Sequence, residues 1–130
     1  MTASIRFAAI AALSLAGLPG AMTSEAPADA GIKHVVMCWL KEPGNAAHHE
    51  IVARVSRELE IIPEVRDMVV GAPVPSDRPN VEDSFDVGIV MSFRDEAALN
   101  AYLEHPEHVR RVQTTLAPLC ARVQILDIRY

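Results

Sequence analysis

"FDVGIVMSFRDEAALNAYLEHPEH" (residues 85–108) carries most of the folding information in this chain. Residues 85–93 alternate, with Val87, Ile89, Met91 and Phe93 on one face and Asp86, Gly88, Val90 and Ser92 on the other, which predicts a strand. Asp95 is placed to cap a helix running to about Glu104, because its carboxylate can accept from the first free amides. Leu99 and Leu103 lie four apart on that helix, with Tyr102 beside them. Pro106 cannot continue the helix, yet it suits the first turn of a new one. His105 then falls at the N-cap of a third helix and His108 at its third position. The same spacing directs Val109, Val112 and Leu116 inward.

Working outward, "IKHVVMCWL" (residues 32–40) reads as a strand closed by the turn "KEPGN". His34, Val36, Cys38 and Leu40 share one face, and Val35, Met37 and Trp39 the other. Both faces are apolar, so both should be buried. Asn45 caps a helix from Ala46, with Ile51, Val52, Val55, Leu59 and Ile62 at helical spacing, and Pro63 ends it. His48 and His49 fall on its first turn, expected in solvent. "VRDMVVG" (65–71) is a short strand, 72–84 a proline-rich surface loop, and "RVQILDIRY" (122–130) the last strand. The order strand, helix, strand, strand, helices, strand is an α+β, ferredoxin-like β-α-β-β-α-β protomer. Helices cover one face of its antiparallel sheet. The other face is apolar and bare, which calls for a second copy: a homodimer closing as a dimeric α/β barrel.

Residues 1–30 read as a signal peptide and short linker, with one early cation, Arg6, an apolar run from Phe7 to Leu18, and cleavage between residues 21 and 30. That run is too short to span a bilayer, and no cysteine follows it to take a lipid, so no membrane anchor is expected after processing. The mature domain is residues 31–130, exported to the periplasm or secreted. The formal net charge of -5 argues against nucleic acid, which needs a basic face. Aromatic residues make up only 5% of the chain, so a pocket must be lined mainly by aliphatics. Cys38 and Cys120, an even count in an oxidising compartment, read either as a disulfide or as two small buried hydrophobes.

"KHVVMCWLK", "IIPEV", "GAPV", the 85–108 stretch and the closing "VQILDI" together resemble the stress-responsive dimeric α/β-barrel (Dabb) family over about residues 32–130. The match is strongest at Phe93, Leu99, Tyr102, His105, Pro106 and His108, with Asp127 behind them. The resemblance implies a ferredoxin-like protomer, a homodimeric barrel and a small apolar pocket between helices and sheet. In the plant polyketide cyclases of this family the second histidine of His-Pro-x-His is a base assisted by the upstream tyrosine. Those positions are His108 and Tyr102 here. Three features depart from the family pattern. Glu64 follows Pro63 where glycine is frequent, Val87 replaces a histidine of the cyclase branch, and most of that branch's pocket aromatics are missing.

Physical reading of the same residues gives the site. A helix N-terminus disfavours imidazolium, so His108 is expected neutral and able to accept a proton; the plainer reading is that both histidines brace the helix junction. His34, Val36, Cys38, Val87, Ile89, Met91 and His105 are the expected ligand-binding residues, with His34 looking into the pocket. No acidic or cysteine partner completes a metal site with His105 and His108, so no metal or cofactor is expected. In this fold the last strand pairs antiparallel with the first, which brings Cys38 and Cys120 within bridging reach, about 7 Å between Cα atoms. The function expected is binding of a small apolar or aromatic ligand in a histidine-edged pocket. The alternatives are a cyclase- or lyase-type enzyme with His108 as general base, and a structural homodimer without chemistry.

Overall fold

The computed structural model describes Gly20 and residues 30–130. The leader expected over residues 1–30 lies, Gly20 and Ala30 aside, outside the described residues. The chain runs β1 (Ile32–Leu40), α1 (Ala46–Arg57), a 3₁₀ turn (Glu58–Ile61), β2 (Asp67–Gly71), β3 (Val87–Phe93), α2 (Glu96–Glu104), α3 (Pro106–Arg111), a widened π-helical turn (Val112–Leu116), α4 (Ala117–Leu119) and β4 (Cys120–Arg129). The strands form one antiparallel sheet in the order β2-β3-β1-β4. This is the ferredoxin-like arrangement that the alternation and caps predict.

Local chemistry sets the boundaries. Gly44, at φ 80°, turns the chain after β1 in the left-handed region where a side chain would be strained. Asn45 accepts from the His48 amide at 3.1 Å and opens α1. Asp95 accepts from the Ala98 amide at 2.8 Å and opens α2. His105 ends α2 and caps α3, its Nδ1 accepting from the Glu107 amide at 3.2 Å. Pro106 occupies the first turn of α3, where its missing N–H costs nothing.

The core lies between the helices and the inner face of the sheet. Ile32, Cys38, Leu40, Val87, Ile89, Met91 and Phe93 pack there against Val52, Leu59, Ile62, Leu99 and Tyr102. Val109 does not join them: it is exposed, because α3 lasts only six residues before the turn widens. The widening re-aims the next side chains, and Val112 and Leu116 do reach the interior. His48 and His49 are half-buried rather than solvated; His49 Nε2 donates to the Asp86 carbonyl at 3.1 Å.

The opposite face of the sheet carries Val35, Met37, Val69, Val90, Leu126 and Ile128, all half-buried or exposed. At its end Lys33 donates to Ser92 Oγ, which donates to Asp67 Oδ1 at 3.0 Å. β4 is an edge strand, and the helices stop short of it. Its helix-side residues Val123 and Ile125 are therefore 49% and 50% exposed.

Cys38 and Cys120 are joined as a disulfide, with Cα atoms 5.9 Å apart. A shift of register between Trp39 and Leu40 pairs Leu40 with Cys120 and skips Ala121, which turns Cys120 to the same face as Cys38. The bridge closes 82 residues of chain. Chain-entropy arguments assign a loop of that length about 4.5 kcal/mol of stabilisation. Urea unfolding of wild type against a Cys38→Ala/Cys120→Ala double variant should show a midpoint lowered accordingly. Equal midpoints would remove the bridge from the account of stability.

Candidate functional site

A cavity of about 250 Å³ lies between the helices and the inner face of β1, β3 and β4. Consecutive inward residues of β1, His34, Val36 and Cys38, form its floor, with Ile89 and Met91 of β3 beside them. Val52 and Ser56 of α1, with Leu59 of the 3₁₀ turn after it, form one wall. Tyr102, Leu103 and His108 form another, and Val112, Leu116, Ala117 and Cys120 close the far end. Val123 and Ile125 complete the lining. Because these two are half exposed, the mouth lies over β4.

Of the residues expected at the site, His34, Val36, Cys38, Ile89, Met91, Tyr102 and His108 line this one cavity. Val87 and His105 do not. Val87 is fully buried in the core, opposite Cys38 in the sheet, and His105 spends its Nδ1 on the α3 cap. Beyond Asp127's place in the family resemblance, the sequence assigns no role to Asp127 or Ser56. Asp127 follows from the pairing of the last strand with the first, since it stands directly across from His34. Ser56 carries no such signal, because one serine on a helix face looks like any other.

The two imidazoles are held in the same way. His34 is 3% exposed, and its Nδ1 sits 2.6 Å from Asp127 Oδ1. A carboxylate only accepts, so Nδ1 carries the hydrogen and Nε2 retains the ring's remaining capacity. His108 Nδ1 sits 2.9 Å from the Leu103 carbonyl, an acceptor as well, so its Nδ1 also donates. Tyr102 stands between them, its ring centroid 4.6 Å from that of His108 and 6.1 Å from that of His34. Phe93 backs Tyr102 at 4.9 Å.

Electrostatics separate the roles. Burial pushes the His108 imidazole below its ordinary value of 6.5, opposed by its bond to the Leu103 carbonyl and reinforced by the neighbouring His34 and His105. The direction agrees with the reading from the helix terminus, but the main cause is desolvation rather than the short α3. Burial raises the Tyr102 hydroxyl well above its ordinary value, so it stays protonated as a hydrogen-bonding group. A neutral imidazole with Nδ1–H committed presents Nε2 as a proton acceptor. Among the described residues no group of three or more His, Cys, Asp or Glu is arranged to hold a metal.

The depressed imidazole has a signed consequence. Well above pH 6.5 it is neutral whether folded or unfolded. As pH falls below that, the unfolded chain takes up the proton first, so stability declines until the folded group protonates too. The His108 Cε1–H resonance followed by NMR should titrate with a midpoint below 6.5. A midpoint at or above that value would contradict the buried, neutral imidazole.

Comparisons with known proteins come to the same architecture. Residues 32–130 match the family model of the stress responsive A/B barrel domain. No curated protein matches the sequence. Among solved structures, a Dabb family protein with a ferredoxin-like fold from Mesorhizobium loti is 23% identical with a TM-score of 0.63, over 76% of this chain and 95% of that one. A dimeric ferredoxin-like protein of unknown function from Thermobifida fusca is 22% identical with a TM-score of 0.62, over 78% of this chain and 92% of its own. A hydroxynitrile lyase from Passiflora edulis is 17% identical with a TM-score of 0.63, over 77% and 93% respectively. At these identities the likeness concerns the fold.

Proposed function

The chain belongs to the stress responsive A/B barrel domain family, and from that premise we propose that it is an exported homodimer that binds a small apolar or aromatic molecule in the cavity of each protomer. The observation that carries the reading is the pairing of His34 and His108 on one apolar cavity, each tied to the protein through Nδ1. Two polar groups fixed in an otherwise greasy hollow give a ligand its orientation, while the aliphatic lining supplies affinity. A cavity serving only packing has no need of two anchored imidazoles. Export is supported by the leader-like N-terminus and by the Cys38–Cys120 bridge, which persists in an oxidising compartment.

The dimer is supported by the apolar outer face of the sheet and by the dimeric protein of the same fold from Thermobifida fusca. Burying a side chain such as Leu126 or Ile128 contributes about 1.5–3 kcal/mol, so six of them form a strong patch. Wild type at micromolar concentration should elute as a dimer in sizing experiments. Leu126→Glu, which places a charge on the β4 side of the patch, should elute as a monomer. A wild type that is already monomeric refutes the dimer.

A second reading is favoured by the neutral His108: proton abstraction in a lyase- or cyclase-type step, assisted by Tyr102. For an aromatic hydroxynitrile, Nε2 takes the hydroxyl proton, the bond to the nitrile carbon breaks, cyanide leaves and the aldehyde remains. The hydroxynitrile lyase of the same fold makes this the first chemistry to try. Thermal shift with 2-naphthol should show stabilisation of wild type that shrinks in His108→Ala. Stabilisation unaltered by that change takes His108 out of the site. Cyanide release from mandelonitrile should fall about a hundredfold or more in the variant if His108 is the base. Release no faster than the uncatalysed rate leaves the protein a binder.

A further inference from the structure

Ser56 is the polar residue of the cavity that neither reading uses. It sits in the last turn of α1, one turn after Val52 and just before the 3₁₀ turn that carries Leu59, and it is 0% exposed. A serine inside a helix ordinarily returns its hydroxyl to the carbonyl four residues back or points it to water. Here the Oγ is buried with no hydrogen-bond partner in the protein, and the residue is part of the cavity lining. A buried hydroxyl without a partner is costly, and an alanine of nearly the same size has no such cost. The imidazoles belong to β1 and α3, so Ser56 stands on a separate wall. Among the described residues, no lysine or arginine lines the cavity. A carboxylate or phosphate at the Ser56 wall would therefore be buried without compensation.

We infer that Ser56 is a second recognition point, and that the ligand carries two oxygen functions: one that meets the imidazoles and a neutral hydroxyl or carbonyl that meets Ser56 Oγ. This rests on the binding function proposed above and narrows it to a substrate class: compact, uncharged at the Ser56 end, and doubly oxygenated on a rigid apolar body. Ser56 then sets specificity, because its hydroxyl is satisfied only by a ligand long enough to span both walls.

Calorimetric titration of the full mature chain with 2-naphthol and with 1,5-, 2,6- and 2,7-dihydroxynaphthalene tests the assignment. At least one diol should bind wild type more tightly than 2-naphthol. Ser56→Ala should weaken that diol about five- to tenfold while leaving 2-naphthol unchanged, the range expected for one hydrogen bond. The ligand-free variant should melt at the same temperature as wild type or higher. A Ser56→Ala protein that melts several degrees lower has lost an internal bond, and the inference falls whatever binds. Equal effects on 2-naphthol and the diols, or no preference for any diol, also overturn it while leaving the binding function intact. If neither 2-naphthol nor any diol binds wild type, the binding function fails and this assignment fails with it.

Discussion

The antiparallel register of β1 with β4 is the constraint from which the site follows. It sets Asp127 across from His34, Ile125 across from Val36 and Val123 across from Cys38. One pairing thus gives the histidine its carboxylate, the cavity its apolar mouth and the bridge its second sulfur. Side chains alternate along a strand, so a slip of one residue would send Asp127 to the outer face and bring Leu126 or Ile128 beneath the helices. His34 would then be buried with no acceptor for its Nδ1. The cost of that burial is one reason the register is fixed, and the covalent link at the other end of the strand pair is a second.

Much of this was legible because it rests on local rules. The alternation of residues 87–93 gives a strand wherever the sheet buries one face. Asn45, Asp95 and His105–Pro106 announce helix starts through the amides they satisfy or remove the need to satisfy. Other features depend on what lies across the fold. Val109 looks inward at regular helical spacing, but α3 gives way to a wider turn after Arg111. Cys120, counted by strict alternation from Val123, belongs on the outer face; the skipped Ala121 brings it inside. Val87 shares the face of Ile89 and Met91 yet is covered by core rather than cavity. Periodicity reports which face is buried and says nothing about whether the space beside it is filled.

The imidazoles illustrate how one residue type acquires distinct settings. His34 rests against a carboxylate that reaches it across the sheet, whereas His108 rests against a backbone carbonyl of the helix before it. Tyr102 separates them and packs on both, so it fixes their spacing as well as offering a hydroxyl. Arg111 braces the same corner from outside, bonding Glu58 beyond α1 and Glu107 of α3 at 3.2 Å. The site is therefore assembled from β1, α2 and α3 by contacts that differ in kind, and the polar ones converge where the lining is otherwise aliphatic.

The bridge encloses nearly the entire domain, from Cys38 in the first strand to Cys120 at the start of the last. The exposed proline-rich segment 72–84 falls inside that covalent ring. A protease that nicks this segment would leave two pieces still fastened to each other, with the sheet pairings on both sides of the cut undisturbed. A cut at this exposed loop would thus be survivable, and the molecule would persist as a cleaved but assembled form.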